Sequence, residues 1–158
     1  MSQYMSLIGQ KARKASFKKI KTKIKNKILK KYALLLDKKK NFILKANTKD
    51  VKLALNNGLE SNLVDRLTLD LKKLNNITSS INKITTLKDP VDNILEKWST
   101  PNGLKISRVS IPIGVIGVIY ESRPNVTSDV ASLCFKSGNA VILKGGSEAI
   151  NTNKILVR

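Results

Sequence analysis

Apolar residues recur every three or four positions along much of the first half of the chain, a pattern typical of amphipathic helices. The spacing predicts one long helix over residues 12–36, a second over 41–56, a short one over 61–67 and another over 69–87. Lysines fill the opposite faces, so we expect the apolar stripes to pack together and the lysines to be solvated. The stripes are Phe17, Ile20, Ile24, Ile28, Tyr32 and Leu35; Phe42, Ile43, Ala46, Leu53 and Leu55; and Leu71, Leu74, Ile77, Ile81 and Ile84.

Turn-forming residues mark where these helices end and where strands begin. Gly58 is predicted to end the second helix, and Ser61 can cap the short helix that follows. Asp89-Pro90 closes the helical half, since proline cannot continue a helix. Residues 94–100 and 104–111 then read as two strands, and Asn102-Gly103 between them is a strong hairpin signal.

The last third of the chain predicts a strand–helix–strand unit. Residues 113–120 form a β-branched apolar run, typical of a strand buried on both faces of a parallel sheet, although Gly114 and Gly117 interrupt it. A helical pattern over 126–136 ends at Gly138. Residues 140–143 form a second short buried strand, and the Lys144-Gly145-Gly146-Ser147-Glu148 loop leads into the next helix. Two parallel strands joined by a helix make one βαβ unit.

The chain is strongly basic but has few of the side chains that recognise nucleic-acid bases. The net charge is +19, from 25 lysines and 5 arginines against 11 acidic residues, and aromatic residues make up 4%. Arginine forks and stacking aromatics are the usual tools of base recognition, so solvated charge is favoured over specific nucleic-acid binding. A small standalone basic helical module that binds nucleic acid or a protein partner remains the alternative hypothesis.

Several site types and locations are disfavoured by what the sequence lacks. One cysteine and no histidine cannot build the usual zinc site or an internal disulfide, so no metal site is predicted and a reducing compartment is favoured. No apolar run of membrane-spanning length and no secretory leader are evident, so we expect a cytoplasmic protein without a membrane partner.

Specific motifs give the chain a resemblance to a known family. The segment PIGVIGVIYESRPNVT at 112–127, followed by SGNAVILKGGSEA at 137–149, resembles the γ-glutamyl phosphate reductases (glutamate-5-semialdehyde dehydrogenases) of the aldehyde dehydrogenase superfamily. YESRPNVT is specific to these reductases, whereas PxGVxGxI with GNxVxLK is shared across the superfamily. Four further segments extend the resemblance over nearly the whole chain: Asn47-Thr48-Lys49-Asp50, Asp65-Arg66-Leu67, Asp89-Pro90-Val91 and residues 98–104.

The resemblance implies an incomplete aldehyde dehydrogenase-type α/β fold. Residues 1–88 would be the N-terminal helical segment of the cofactor domain, 89–112 a β-hairpin oligomerisation arm, and 113–158 the first βαβ unit of a Rossmann-like NADP-binding domain. Family chains are more than twice this length, so the catalytic domain is expected to be absent. The complete enzyme is expected to be a homo-oligomer.

The resemblance also implies an activity and its cofactor. These enzymes convert L-glutamyl 5-phosphate to L-glutamate 5-semialdehyde with NADPH in proline biosynthesis. Their nucleophilic cysteine lies well C-terminal of the motif, so the chain as given is expected to be inactive. Cys134 lies on an apolar helix face and is expected to be a small buried side chain instead.

Candidate site residues fall in two loops that follow the two strands. Superfamily members place the lysine equivalent to Lys144, with a Ser or Glu shortly after it, against the adenosine ribose; here Gly145, Gly146, Ser147 and Glu148 complete that cofactor-binding loop. The loop 121–125 supplies the catalytic candidates. The superfamily's oxyanion-binding Asn position falls on Arg123, and Asn125 is two residues later, so either is a candidate. Asn125 is alternatively the N-cap of the next helix, and Arg123 can face the acyl phosphate.

Overall fold

The computed structural model describes residues 3–157 and confirms the predicted α/β class. The helices in this range are α1 (Gln3–Ser16), α2 (Thr22–Lys38), α3 (Lys40–Asn56), α4 (Ser61–Leu67), α5 (Leu71–Thr86), α6 (Pro124–Lys136) and α7 (Ile150–Leu156), with a 3₁₀ turn (Ser147–Ala149) before α7. The strands are β1 (Ile94–Ser99), β2 (Lys105–Val109), β3 (Val115–Tyr120) and β4 (Ala140–Gly145). They form two separate two-stranded sheets within the described residues.

The hydrophobic core lies among the helices rather than under a sheet. Helix α5 begins at the N-cap Asp70, whose Oδ1 accepts a hydrogen bond from the Lys73 amide at 2.6 Å. Its predicted stripe is buried except for Leu71, and it packs mainly against α2 and α6. The core residues are Leu29, Ala33, Leu36, Ile43, Leu69, Leu74, Ile77, Ile81, Ile84 and Leu156.

The prediction of one helix over 12–36 is wrong in its continuity and in its buried face. Helix α1 ends at Ser16 and α2 starts at Thr22, because α1 packs against β3 and β4 whereas α2 packs on α5. The side chains that α2 buries are Lys25, Leu29, Ala33 and Leu36. The predicted stripe lies one residue away from this face, and its members Phe17, Ile24, Ile28 and Leu35 are exposed.

The predictions for α3 and α4 are partly confirmed. Helix α3 ends as expected before Gly58, whose φ of +71° is readily adopted by glycine. Ile43 and Ala46 are buried as predicted, but Phe42, Leu53 and Leu55 are exposed, and the polar Asn47 and Asp50 take their place inside. Ser61 is the first helical residue of α4, and the N-cap position belongs to Glu60, which makes no side-chain cap.

The hairpin forms at the predicted place but with a different turn. Strands β1 and β2 pair antiparallel, with Trp98 opposite Ile106. The Gly103 amide donates to the Thr100 carbonyl at 2.9 Å, so Pro101 and Asn102 are the central turn residues. Gly103 follows them in the left-handed region at φ +84°, in place of the two-residue Asn-Gly turn. The residues of β1 are exposed along its whole length.

The βαβ unit is confirmed, with β3 and β4 parallel and α6 crossing between them. Helix α6 ends in a Schellman motif, in which the Gly138 and Asn139 amides bond back to the Phe135 and Cys134 carbonyls. The prediction that β3 is buried on both faces is wrong for this chain, since Ile119 is 78% exposed. Only α1 and α6 pack extensively on the strand pair, which leaves the outward side chains of β3 uncovered. Among residues 3–157, no helix is both long and apolar enough to cross a lipid bilayer.

Candidate functional site

A wide cleft lies where β3 and β4 end, at the edge of the parallel pair where α/β sheets bind ligands. Its volume is about 1020 Å³. The last residue of β3, Tyr120, and the loop residues Glu121 and Ser122 form part of its wall, and α7 contributes Asn153. All five residues of the predicted cofactor loop, 144–148, line this one cleft.

Lys144 and Ser147 present free polar groups to the cleft. Lys144 pairs with Ile119 in the parallel register, one position before β4 ends. Its side chain is exposed, and it has no ion pair or hydrogen bond with the described residues. Ser147 is also exposed, at the start of the 3₁₀ turn. An ammonium and a hydroxyl are therefore available to an anionic or hydroxylated solute.

The two glycines of the loop make room for neighbouring side chains. A Cβ on Gly145 would lie 2.5 Å from Asn153 Nδ2 and 3.1 Å from the Tyr120 hydroxyl. A Cβ on Gly146 would collide with the Glu148 carboxylate, which folds back over the loop. Any larger residue would have to push these polar groups out of their positions.

Glu148 joins the two loops across the cleft. Its Oε1 accepts a hydrogen bond from the Ser122 hydroxyl at 3.0 Å, and Ser122 itself is buried. The carboxylate is half-buried, with Oε2 free of hydrogen bonds among the described residues. A fixed carboxylate oxygen is a good acceptor for a sugar hydroxyl.

The Asp50 carboxylate accepts hydrogen bonds from the backbone amides at the start of α7. This helix lies beside the predicted cofactor loop. Its Oδ1 accepts from the Asn151 amide at 3.2 Å and from Asn151 Nδ2 at 2.7 Å. Its Oδ2 accepts from the Thr152 amide at 2.7 Å and from the Thr152 hydroxyl at 2.6 Å. These amides are therefore not free for a phosphate, and the polar atoms open to a ligand here belong to the loop side chains.

Sequence reasoning missed the polar residues that hold the cleft in shape. The Tyr120 hydroxyl bonds to Thr127, and the Thr127 hydroxyl bonds to Asn153 Oδ1 at 2.8 Å, which links β3, α6 and α7. Asn47 similarly ties α3 to its neighbours: its Nδ2 donates to the Leu67 carbonyl and its Oδ1 accepts from the Leu69 amide. Asn47 and Asp50 were visible as motif residues, but no local signal gave their partners.

Arg123 and Asn125 line a different groove, of about 480 Å³, between α4, α5 and α6. Arg123 is the N-cap residue of α6, followed by Pro124 at the first helical position. Asn125 is therefore already inside the helix, and the alternative that it is the N-cap is wrong. Its Nδ2 donates instead to Asp129 Oδ2, one turn along, at 3.3 Å. The two sets of predicted site residues thus face two separate clefts.

Asp129 is a residue of this second groove that the sequence analysis did not single out. Burial raises the pKa of its carboxyl above the usual value, and the hydrogen bond from Asn125 opposes that shift only in part. Asp129 Oδ1 is buried and has no hydrogen-bond partner among residues 3–157. Unpartnered buried oxygens are costly, so a donor brought close to this carboxylate would be stabilising.

Cys134 is buried, as the sequence predicted. Its side chain is 6% exposed, and burial raises the pKa of its thiol, which favours the protonated and unreactive form. It lines neither cleft. The thiol is therefore poorly placed to act as a nucleophile.

Comparison with known proteins confirms the resemblance. No family model matches the chain. γ-Glutamyl phosphate reductase from Nautilia profundicola is 52% identical, over 85% of this chain and 33% of the relative. The reductase from a Sulfurihydrogenibium species is 48% identical, over 98% of this chain and 35% of the relative.

Solved structures with the same name match the fold as well. The γ-glutamyl phosphate reductase of Thermotoga maritima superposes with a TM-score of 0.89 at 44% identity, over 94% of this chain and 36% of that one. The Saccharomyces cerevisiae enzyme superposes with a TM-score of 0.93 at 36% identity, over 99% of this chain and 40% of that one. The chain thus spans about a third of the length of the curated relatives.

Proposed function

We propose that this chain is the N-terminal part of a cytoplasmic, NADPH-dependent γ-glutamyl phosphate reductase, which converts L-glutamyl 5-phosphate to L-glutamate 5-semialdehyde in proline biosynthesis. One observation carries the proposal: sequence and fold both match such reductases over nearly the whole chain. The finer assignments, to NADPH and to individual residues, rest on the two clefts.

The cleft at the ends of β3 and β4 is the proposed cofactor site. Its fit to a dinucleotide is supported by a free ammonium on Lys144, a free hydroxyl on Ser147 and a fixed carboxylate on Glu148, all beside an open cleft. Lys144 would hold the phosphate on the adenosine ribose, and Glu148 would accept a hydrogen bond from a ribose hydroxyl, each contact being charge-assisted. When bound, NADPH would supply the hydride that reduces the acyl group. Gly145 and Gly146 let Asn153 and Glu148 fold against the loop, which keeps its shape.

The groove beside α6 is the proposed substrate side. The Arg123 guanidinium is exposed and makes no ion pair within residues 3–157, so its donors are free for the oxygens of an acyl phosphate. Asn125 lies two residues after Arg123. It is the remaining candidate for contact with the reacting carbonyl oxygen.

The hairpin is the proposed contact with a second copy of the chain. Apolar side chains on β1, on β2 and beside them are exposed, and an isolated two-stranded ribbon is only marginally stable in water. Pairing with another copy in the complete enzyme would cover them. They are Ile94, Leu95, Trp98, Leu104, Val109 and Ile111.

The 158 residues alone are expected to show no reductase turnover. Their single cysteine, Cys134, is buried with a raised thiol pKa, and no histidine is present to deprotonate it. NADPH oxidation dependent on glutamyl phosphate should stay at the no-enzyme rate, for the chain and for its Cys134→Ser variant alike. Turnover that the chain supports and Cys134→Ser abolishes would contradict this assignment.

Replacing Lys144 should weaken cofactor binding more than it slows turnover. The measurement uses a chimera in which this chain replaces the matching third of a complete γ-glutamyl phosphate reductase. Lys144→Ala should raise the KM for NADPH by roughly five- to 150-fold, about 1–3 kcal/mol, with a smaller change in kcat. Lys30→Ala, on the exposed face of α2, is the matched control. Arg123→Ala should instead impair turnover of the acyl phosphate. An unchanged NADPH dependence in Lys144→Ala would refute the cofactor role of this loop.

A further inference from the structure

The groove between α4, α5 and α6 contains opposite charges that do not pair with each other. Asp129 lies on the α6 side, Arg66 at the end of α4, and Arg123 at the N-cap of α6. Within residues 3–157, no ion pair involves any of the three. Facing but separated charges of both signs are suited to a zwitterion that carries its own charges between them.

The carboxylate of Asp129 has no cationic partner within residues 3–157, which favours an ammonium at this point. Asn125 donates to Oδ2, while Oδ1 is buried without a hydrogen bond to the described residues. A half-buried carboxylate without a cationic partner gains most from a charged donor, since charge-assisted bonds are about twice as strong as neutral ones. Lys73, an ammonium that also lines the groove, is already committed to the Asp65 and Thr68 carbonyls, at 2.9 Å each.

The free cation on the opposite side favours a carboxylate. Arg66 is exposed on the last turn of α4 and makes no hydrogen bond with the described residues through its guanidinium. A guanidinium presents two parallel donors that match the two oxygens of a carboxylate. Lys73 on the same wall is paired with Asp65 at 3.9 Å, which leaves Arg66 as the unpaired cation there among the described residues.

The spacing of Arg123 and Asp129 along α6 is comparable with the length of a short amino acid that carries a phosphate at its far end. Arg123 and Asp129 are six residues apart at the start of α6, which is about 9 Å along a helix axis. In an extended five-carbon amino acid whose side-chain carboxyl forms an acyl phosphate, six bonds separate the ammonium nitrogen from phosphorus, so the two charged groups lie a comparable distance apart.

We propose that this groove binds the α-amino-acid end of the substrate, with Asp129 holding the ammonium and Arg66 the carboxylate. The inference rests on the proposed reductase function and adds to it the residues that choose an α-amino acid over a plain acyl phosphate. Arg123 then lies at the phosphate end.

Kinetics of the chimera described above test the proposal. Asp129→Asn keeps the size and the Asn125 contact of the side chain but removes its charge. It is expected to raise the KM for glutamyl phosphate at least about tenfold, the effect of losing one charge-assisted bond, while the KM for NADPH changes less than twofold. Arg66→Gln should do the same. The matched controls are Asp37→Asn and Lys72→Gln, which carry the same charge changes at exposed positions outside the groove.

Binding of substrate analogues to the 158-residue chain separates the two contacts. L-Glutamate should bind more tightly than glutarate, which lacks the ammonium, and more tightly than 4-aminobutyrate, which lacks the α-carboxylate. Asp129→Asn should abolish the preference over glutarate, and Arg66→Gln the preference over 4-aminobutyrate, as measured by NMR titration.

The outcomes distinguish the subsite from the proposed function. An active chimera whose KM for glutamyl phosphate and analogue preferences are unchanged in Asp129→Asn overturns the subsite and leaves the reductase function standing. An inactive chimera together with no preference for L-glutamate overturns both.

Discussion

Asp50→Ala is expected to lower the free energy of unfolding by about 3–5 kcal/mol, one of the largest losses from any single substitution in this chain. Asp50 is 1% exposed and accepts four hydrogen bonds from Asn151 and Thr152, about a hundred positions further along the chain. Alanine would leave these donors buried and unsatisfied. The start of α7, beside the cofactor loop, would lose its anchor to α3.

Urea unfolding followed by circular dichroism measures this loss. Asp37→Ala is the control, since Asp37 is exposed on α2 and its Lys40 partner is 3.7 Å away; its effect should stay within about 0.5 kcal/mol. The stability of Asp50→Asn should lie between those of Asp50→Ala and Asp37→Ala, because the asparagine amide keeps one acceptor oxygen. If Asp50→Ala proves as stable as the Asp37→Ala control, the carboxylate does not anchor α7.

Breaking the buried ion pair between Lys25 and Asp89 is expected to lower the free energy of unfolding by about 3–5 kcal/mol. Lys25 is 2% exposed, and its Nζ donates to Asp89 Oδ2 at 2.9 Å and to the Lys136 carbonyl at 3.0 Å. The Thr22 hydroxyl also donates to Asp89. Asp89→Ala would leave a buried ammonium with no carboxylate, whereas Lys25→Met removes the charge and keeps most of the volume. The first variant should therefore be the less stable of the two in thermal unfolding.

The same pair predicts how stability depends on pH. Burial by itself raises the pKa of Asp89, but hydrogen bonds from Lys25, Thr22 and the Val91 amide, with the charge on Lys25, outweigh it and hold that pKa below its usual value. Since the pKa is lower in the folded state than in the unfolded chain, the stabilisation is fully present above about pH 4. It is lost as the pH falls through the folded-state pKa.

Acid titration of stability checks the sign of this effect. The parent chain should lose more unfolding free energy than Asp89→Asn between about pH 5 and about pH 2. Equal losses in the two proteins would show that Asp89 does not carry the pH dependence.

Local signals in the sequence were enough to place most of the secondary structure. Helix α5 and the unit of β3, α6 and β4 follow their periodicities, and Gly58 and Gly138 end their helices. These features depend on residues only a few positions apart, so the local pattern of apolar and turn-forming residues predicts them. The proposed cofactor loop is also visible in sequence, because its place after a strand sets which edge of the sheet it reaches.

The choice of buried face on α2 was decided only by tertiary structure. Periodicity placed Ile24 in the core and Lys25 in solvent, yet Ile24 is exposed and Lys25 is buried. A lysine is buried only where a partner offsets its desolvation, and here the partner is Asp89, more than sixty residues away. No window of the sequence contains both residues.

The division of the site into two clefts was likewise set by packing over long distances. Sequence placed Arg123 in the loop after β3 and Lys144 at the end of β4. The structure puts Arg123 in the groove between α4, α5 and α6, which Arg66 and Asp129 also line, and Lys144 in the cleft beside α7. The sequence by itself determined most of the elements and the residue types of the two loops, because those depend on local spacing. Which loop faces which helix depended on contacts between residues far apart in the chain, and only the folded chain brings those together.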